Sequence, residues 1–310
     1  MRLIELYRTR PFVFSIEVFP PKTEEGLQKL KGTLEAITPY RPDYFSVTYG
    51  AGGSSRENTH TLASHIQNQL AVEAMAHLTC VSHTRDEISG VLNSLKTSGI
   101  ENIMALRGDL PESDADLPLA ESAYAYASEL VQAIRERQEF GIGVAGYPEG
   151  HVENPDRDAD FRHQVRKFRS GADFVVTQLF LNNEPFLRWR DRLASAGVDL
   201  PLVPGLMPAV NGKALKRMAS LCGVSVPDKL QEALDQNADQ PEAARKIGLE
   251  HAARQLEELL REGVPGVHLY ALNRLDAVES LAPLLPNRRL ADVSNVREVR
   301  TSSAPEPLSA

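Results

Sequence analysis

The sequence predicts an α/β fold of the (β/α)8, or TIM-barrel, class, with extra helices in the seventh βα connection. Three observations predict it. Short runs rich in β-branched and apolar residues recur along the chain. Each is followed by an amphipathic stretch at helical period, with ~30 residues per strand–helix pair, the pattern of βαβ units in a parallel sheet. Glycine recurs between a helix and the next strand, at Ser98-Gly99, Ser170-Gly171 and Ala196-Gly197, where it supplies the left-handed residue that ends a helix. Eight such units favour closure into a barrel over an open sheet.

Taken in order, strands are expected at Phe12–Phe19, Tyr44–Tyr49, Glu73–Cys80, Asn102–Arg107, Gly141–Tyr147, Phe174–Phe180, Leu202–Met207 and Gly266–Leu272. Helices are expected at Glu25–Ile37, Asn58–Gln69, Arg85–Ser98, Ala120–Arg137, Asp158–Ser170, Pro185–Ala196 and Lys213–Leu221. The seventh connection is longer and holds two further helices, near Pro227–Leu234 and Glu242–Glu262. Extra length in a βα-loop lies at the catalytic face of a barrel, which points to a substrate site or a lid. Residues 1–286 read as one catalytic barrel. Residues 287–310 read as a disordered tail, being rich in Arg, Ser and Pro.

Composition narrows the function classes. The 310 residues are 42% hydrophobic and 25% charged, which is globular composition. The net charge of −8 comes with no basic run, which argues against nucleic acid as a partner. The two cysteines, Cys80 and Cys222, form no CxxC or Cys/His cluster, so no metal is expected and a reducing, cytoplasmic setting fits. Met1 to Arg10 alternate charged and apolar types without a signal-peptide core, and no apolar run is long enough to span a membrane.

Polar residues at strand ends point into the barrel mouth, and here they are distinctive. Glu17 stands inside Phe14-Ser15-Ile16-Glu17-Val18-Phe19. An unpaired charge buried there costs several kcal/mol, about 2–7 even for a neutral polar group, so the carboxyl keeps a proton or finds a partner. A carboxyl that keeps its proton suits a general acid; an interior Lys or Arg partner would make it a packing layer instead. Asp109 follows Arg107-Gly108 and is either a mouth residue or a helix N-cap. His77 and Thr79 come from the third strand. With no cysteine or second strand-end histidine expected near it, His77 reads as a core histidine and not a metal ligand. Gly50–Gly53 gives a flexible loop that fits no phosphate-binding motif. Arg166-Lys167 is either a solvated helix face or a phosphate clamp. Leu119–Ala127 reads as a packed helix start or as the wall of a flat ring.

Together these segments resemble the methylenetetrahydrofolate reductase family. The matching pieces are Phe14–Pro21, Phe45–Ala51, Ala76–Cys80, Ala105–Pro111, Tyr147–His151, Thr177–Phe180 and Tyr270–Arg274, in order from about Phe12 to Leu284. The resemblance implies a barrel that binds FAD across its strand ends and reduces it with NADH or NADPH. Hydride then passes to 5,10-methylenetetrahydrofolate, giving 5-methyltetrahydrofolate in a ping-pong cycle that feeds methionine synthesis. By the same resemblance Glu17 is the general acid, and Asp109 is a carboxylate between flavin and pterin that contacts both. Gln178 and Arg274 are folate contacts. Thr48, Tyr49, His77, Arg107 and Gly108 touch the flavin. Tyr126, Ala127, Tyr147, His151, Asp160, His163, Arg166 and Lys167 hold the ribityl, diphosphate and adenosine parts. The resemblance also implies a homo-oligomer and, with no regulatory extension, no control by S-adenosylmethionine; it leans towards NADH. The chain departs from the family pattern at Ala214 and Met218, where relatives place an amide and an aromatic, and at His163, where an Asn is common. The readings set against it are a barrel lyase or aldolase, which would want a strand-end Lys or a metal set, and a folate- or flavin-binding protein without turnover.

Overall fold

The computed structural model describes residues 1–49, 56–109, 123–209 and 211–286. Among them, eight parallel strands close into a barrel in chain order: β1 (Val13–Val18), β2 (Tyr44–Val47), β3 (Glu73–Thr79), β4 (Asn102–Leu106), β5 (Gly141–Gly146), β6 (Phe174–Leu179), β7 (Leu202–Leu206) and β8 (Gly266–Tyr270). β1 pairs with β2 on one side and with β8 on the other, so Glu17 has Ser46 and Tyr270 as its neighbours in register. This is the expected (β/α)8 class. The ladders stop one or two residues before the expected ends, at Val47, Thr79, Leu106, Gly146, Leu206 and Tyr270. The residues beyond them leave the sheet to build the mouth.

The helices are α1 (Ile4–Thr9), α2 (Glu24–Ile37), α3 (Arg56–Asn68), α4 (Arg85–Thr97), α5 (Ala127–Arg137), α6 (Arg157–Arg169), α7 (Asn183–Ser195), α8 (Gly212–Cys222), α9 (Asp228–Gln236), α10 (Pro241–Arg261) and α11 (Leu275–Leu281). Side chains cap several starts: Thr23 accepts from Gly26 N, and Thr84 and Glu87 form a reciprocal capping box. Gly99, Gly171 and Gly197 take positive φ after their helices, as the sequence predicts.

One helix needs correction. α5 starts at Ala127, not at Ala120. The Glu129 carboxylate accepts from the backbone N–H groups of Ala125 and Tyr126, fixing the helix start there. Residues 110–122 lie outside the described residues, as do the Gly50–Gly53 loop and the expected tail at 287–310.

The largest core lies between the strands' outward faces and the helices, with Phe14, Ile16, Val18, Phe45 and Leu78 among its residues. A second cluster fills the barrel interior: Val13, Met75, Met104, Phe174, Val176 and Val203. Leu3, just before α1, and Leu6 within it join this cluster, so α1 plugs the barrel at the strands' N-terminal ends. Asn102 Oδ1 fixes the plug by accepting from Leu3 N at 2.8 Å. A third cluster packs α8, α9 and α10 over the ends of β6 and β7 through Leu179, Met207, Leu215, Leu230 and Leu234. The long seventh connection is therefore folded over the mouth. No helix among the described residues is long and apolar enough to cross a membrane.

Candidate active site

β1 turns Glu17 into the barrel because inward and outward residues alternate along a strand. Its carboxylate meets two imidazoles: Oε2 lies 3.6 Å from His77 Nε2 and 3.5 Å from His268 Nε2. The side chain keeps 22% exposure towards the mouth, while His77 and His268 keep 8% and 0%. Glu17 thus finds partners, and they are histidines from β3 and β8; no Lys or Arg pairs with it among the described residues. The expectation that His77 has no second strand-end histidine near it is corrected. Barrel closure brings His268 against Glu17 from the other side.

Each imidazole has a serine partner, His77 on the nitrogen that faces Glu17 and His268 on the far one. Ser46 Oγ lies 2.6 Å from His77 Nε2, and Ser15 Oγ lies 2.8 Å from His268 Nδ1. Burial pushes His77 from its ordinary 6.5 down to about 4, so it stays neutral at physiological pH. Tyr270, also inward on β8, donates its hydroxyl to Thr177 O at 2.7 Å.

The other expected residues fall into three groups. On the β2–β4 side, Thr48 N donates to Val18 O, and the Tyr49 hydroxyl lies 2.9 Å from His83 Nε2. Arg107 makes a two-pronged pair with Glu153, at 2.7 and 2.6 Å. Gly108 takes φ +90°, and a Cβ there would lie 2.9 Å from Thr79 Cβ, so only glycine fits. Asp109 is exposed beside it.

The β5–α6 side makes a second group. The rings of Tyr147 and His151 meet edge to face at 4.7 Å. Asp160 Oδ2 accepts from His151 N and from Gln164 Nε2, and Gln164 also pairs with the Tyr147 backbone. Lys167 sets its ammonium 5.1 Å from the Tyr147 ring centroid. Burial lowers its pKa from 10.5 to about 8, against an opposing pull from Asp160. Arg166 does not join it. It lines an outer groove between α6 and the end of α7, with Phe161, Val165 and Ala196. His163 is exposed on α6, and Tyr126 is exposed ahead of Ala127 at the start of α5.

The third group comes from β6 and the start of α11. Gln178 on β6 turns its carbonyl to accept from Leu179 N. Arg274 opens α11 and pairs with Asp276 at 2.6 Å; Asp276 also binds Arg245.

The model of the family described as methylenetetrahydrofolate reductase matches residues 2–284. The chain belongs to the methylenetetrahydrofolate reductase family. It is 36% identical over 294 residues to "Methylenetetrahydrofolate reductase (NADH) 1" of Arabidopsis thaliana, covering 91% of this chain and 49% of that one. It is 37% identical over 262 residues to the 5,10-methylenetetrahydrofolate reductase of Escherichia coli K12, covering 84% and 86%. The chain thus spans about half the length of the plant relative and most of the bacterial one. Among solved structures it is similar to an uncharacterized protein from Clostridium thermocellum that binds two copies of 5-methyl-5,6,7,8-tetrahydrofolic acid. The TM-score is 0.61 at 18% identity, over 95% of this chain and 99% of that one, a likeness of fold.

Within this member of the reductase family, Ala214 is exposed on the first turn of α8 and Met218 packs on the small core beneath that helix. Sequence reasoning missed His268 and Ser15. Both lie in step with recognised inward positions, Ser15 two residues before Glu17 and His268 two before Tyr270, so strand alternation was the signal available. It placed Asn273 at the end of the eighth strand but not its tie to the first: Asn273 both donates to Phe19 O and accepts from Phe19 N, at 2.8 and 3.0 Å, joining the end of β8 to that of β1.

Proposed function

We propose that this chain reduces 5,10-methylenetetrahydrofolate to 5-methyltetrahydrofolate, with FAD as its cofactor and NADH or NADPH as electron donor in a ping-pong cycle. The observation that carries the reading is the Glu17 carboxyl, at the mouth of a barrel of this family, held between two buried imidazoles.

The residues present fit a flavin dinucleotide. Lys167 is a half-buried ammonium with no ion-pair partner among the described residues, which suits a diphosphate. Tyr147 and His151 offer ring faces beside it, and Gly108 leaves bare backbone at the mouth. We assign cofactor contacts to Thr48, Tyr49, His77, Arg107, Gly108, Asp109, Tyr126, Ala127, Tyr147, His151, Asp160, His163 and Lys167. Arg166, which faces the outer groove, would have to turn to join them. When bound, the flavin supplies a hydride to the substrate's methylene carbon.

The chain's own residues supply position and a proton. Glu17 gives its proton to N10 of the folate, breaking the bond from N10 to the methylene carbon and leaving an iminium that accepts the hydride. His77, held neutral, and His268 keep the carboxyl in place. Asp109 orients the pterin, and Gln178 and Arg274 bind the rest of the folate. The product gains one hydride and one proton, so the balance closes. Residues 1–286 act in this reading as one catalytic unit in the cytoplasm, assembled as a homo-oligomer.

The test is spectroscopic. Purified protein should show a flavin spectrum that bleaches under NADH and returns on adding methylenetetrahydrofolate. Glu17→Gln should still bleach but recover more slowly by about 10²–10⁴, the usual worth of a positioned acid. A colourless protein that gains no activity from added FAD overturns the cofactor, and normal recovery in Glu17→Gln overturns the acid.

A further inference from the structure

Side chains that fill a (β/α)8 barrel are mostly apolar, and on one side of this interior they are: Met75, Met104, Phe174, Val176 and Val203. Along β1, β2 and β8 a file of polar groups runs the other way through the barrel. At the mouth, Glu17 Oε2 lies 3.5 Å from His268 Nε2. The other nitrogen of that ring lies 2.8 Å from Ser15 Oγ. Ser15 Oγ also reaches Val267 O at 3.3 Å. Ser15 and Tyr44 are neighbours in register on β1 and β2, which sets the Tyr44 side chain beside that of Ser15, and the Tyr44 hydroxyl is 3.0 Å from the hydroxyl of Tyr7 on α1. His268, Ser15 and Tyr44 are fully buried, while Tyr7 is half-buried at the opposite face. The file therefore has two ends, one at the catalytic mouth and one at the plugged base.

His268 Nε2 marks its direction. That atom is buried with no hydrogen-bond partner, and the Glu17 carboxylate stands just beyond hydrogen-bond distance. A buried imidazole nitrogen is seldom left without a partner. Its use is explained if it donates to Glu17 once the carboxyl has lost its proton. The second imidazole does not offer such a route, since His77 leads to Ser46 and no further contact continues the line among the described residues.

We propose that Tyr7, Tyr44, Ser15 and His268 form a proton wire that recharges Glu17 from the base of the barrel while ligands cover the mouth. The proposal rests on the reading of Glu17 as the acid. After Glu17 has protonated the folate, His268 passes its Nε2 proton to the carboxylate. Nδ1 takes a proton from Ser15, Ser15 from Tyr44, Tyr44 from Tyr7, and Tyr7 from water. One proton enters, one arrives, no electron moves, and no group in the file is left charged. Rotation of the hydroxyls and the imidazole restores the starting arrangement. Burial supports passage through neutral hydroxyls, because it pushes Tyr44 up to about 12 and Tyr7 well above its ordinary value.

Tyr44→Phe removes the central hydroxyl and keeps the ring against Phe174. Tyr7→Phe cuts the half-buried end and serves if the first variant folds poorly. Single-turnover reoxidation of reduced holoenzyme by methylenetetrahydrofolate is compared with steady-state turnover, in water and in deuterium oxide. Glu17 starts protonated in a single turnover, so both variants should match the parent there within about twofold, while kcat falls about tenfold, less than the roughly 10²–10⁴ expected from losing the acid itself. The solvent isotope effect on kcat should rise. Parental kcat and isotope effect in both variants overturn the wire, as does an equal loss in single and multiple turnover, which marks a structural role. Glu17→Gln separates the two proposals. Normal folate reduction by that variant overturns the acid itself, whereas its failure, beside parental Tyr44→Phe and Tyr7→Phe, overturns the wire alone.

Discussion

The Lys167 ammonium sits over the Tyr147 ring with its solvation reduced and no acidic partner within ion-pair range among the described residues. Its neighbour Arg166 points to the outer groove. Adjacent residues on an α-helix are about 100° apart, so a basic pair cannot aim both charges at one phosphate without bending one side chain round. The sequence shows the pair but not which member faces the mouth, because that depends on how α6 is rotated against β5. The consequence is a pH dependence of cofactor binding. In the free protein Lys167 loses its proton near pH 8. A bound diphosphate stabilises the ammonium, so affinity for FAD is constant below that pH and falls above it, by up to about tenfold per pH unit. Fluorescence titration of apoprotein with FAD from neutral to alkaline pH should show this fall. Lys167→Met should bind more weakly with a flatter profile, and a flat profile in the parent removes Lys167 from the phosphate site.

At the scale of elements, the strands were legible because alternation and the glycines that follow helices are local signals. Two features were not. α1 is six residues long, and its apolar Leu6 counts only because the open end of the barrel lies beneath it. The Asn273 clamp is equally non-local, joining residues 254 apart. Leu6→Ala empties part of the plug and should cost about 2–5 kcal/mol of stability, read from urea unfolding; a loss near zero would mean that the plug does not seal the core. The clamp can be tested without disturbing the backbone. Asn273 has φ 58°, left-handed geometry that glycine adopts freely. Asn273→Gly should therefore keep the turn and lose only the tie to Phe19 that fixes the backbone just ahead of Arg274. The expected result is a rise in KM for the folate of about fivefold, equivalent to about 1 kcal/mol for a hydrogen-bonded tie. Flavin reduction by NADH should be unchanged. An unaltered KM would detach the clamp from folate binding.

The whole molecule adds what no segment contains. Glu17 is in β1 and His268 in β8, so they meet only when the last strand returns to the first. His77 arrives from β3, two strands away in the other direction. The pattern could place each side chain inward but not give its distance from the others, since shear and tilt decide which levels coincide. The same closure makes this site sensitive to acid. The unfolded chain protonates His77 near its ordinary 6.5, whereas the folded one resists until about 4 because burial disfavours the charged ring. Folding is thus not penalised by this group above pH 6.5, and it loses stability as the pH falls through that value towards 4. The loss by pH 5 should be about 2 kcal/mol from His77 alone. Other histidines, including His151 and His251, are also lowered by burial and add to the total slope, so the contribution of His77 is read as a difference. His77→Gln can retain a bond to Ser46 but cannot take a proton. Unfolding free energies from urea titrations at pH 7.5 and pH 5 should therefore differ less in the variant than in the parent, by about that amount. Parallel shifts in the two proteins would show that His77 protonates alike in folded and unfolded chains, and that the Glu17 site does not hold it neutral.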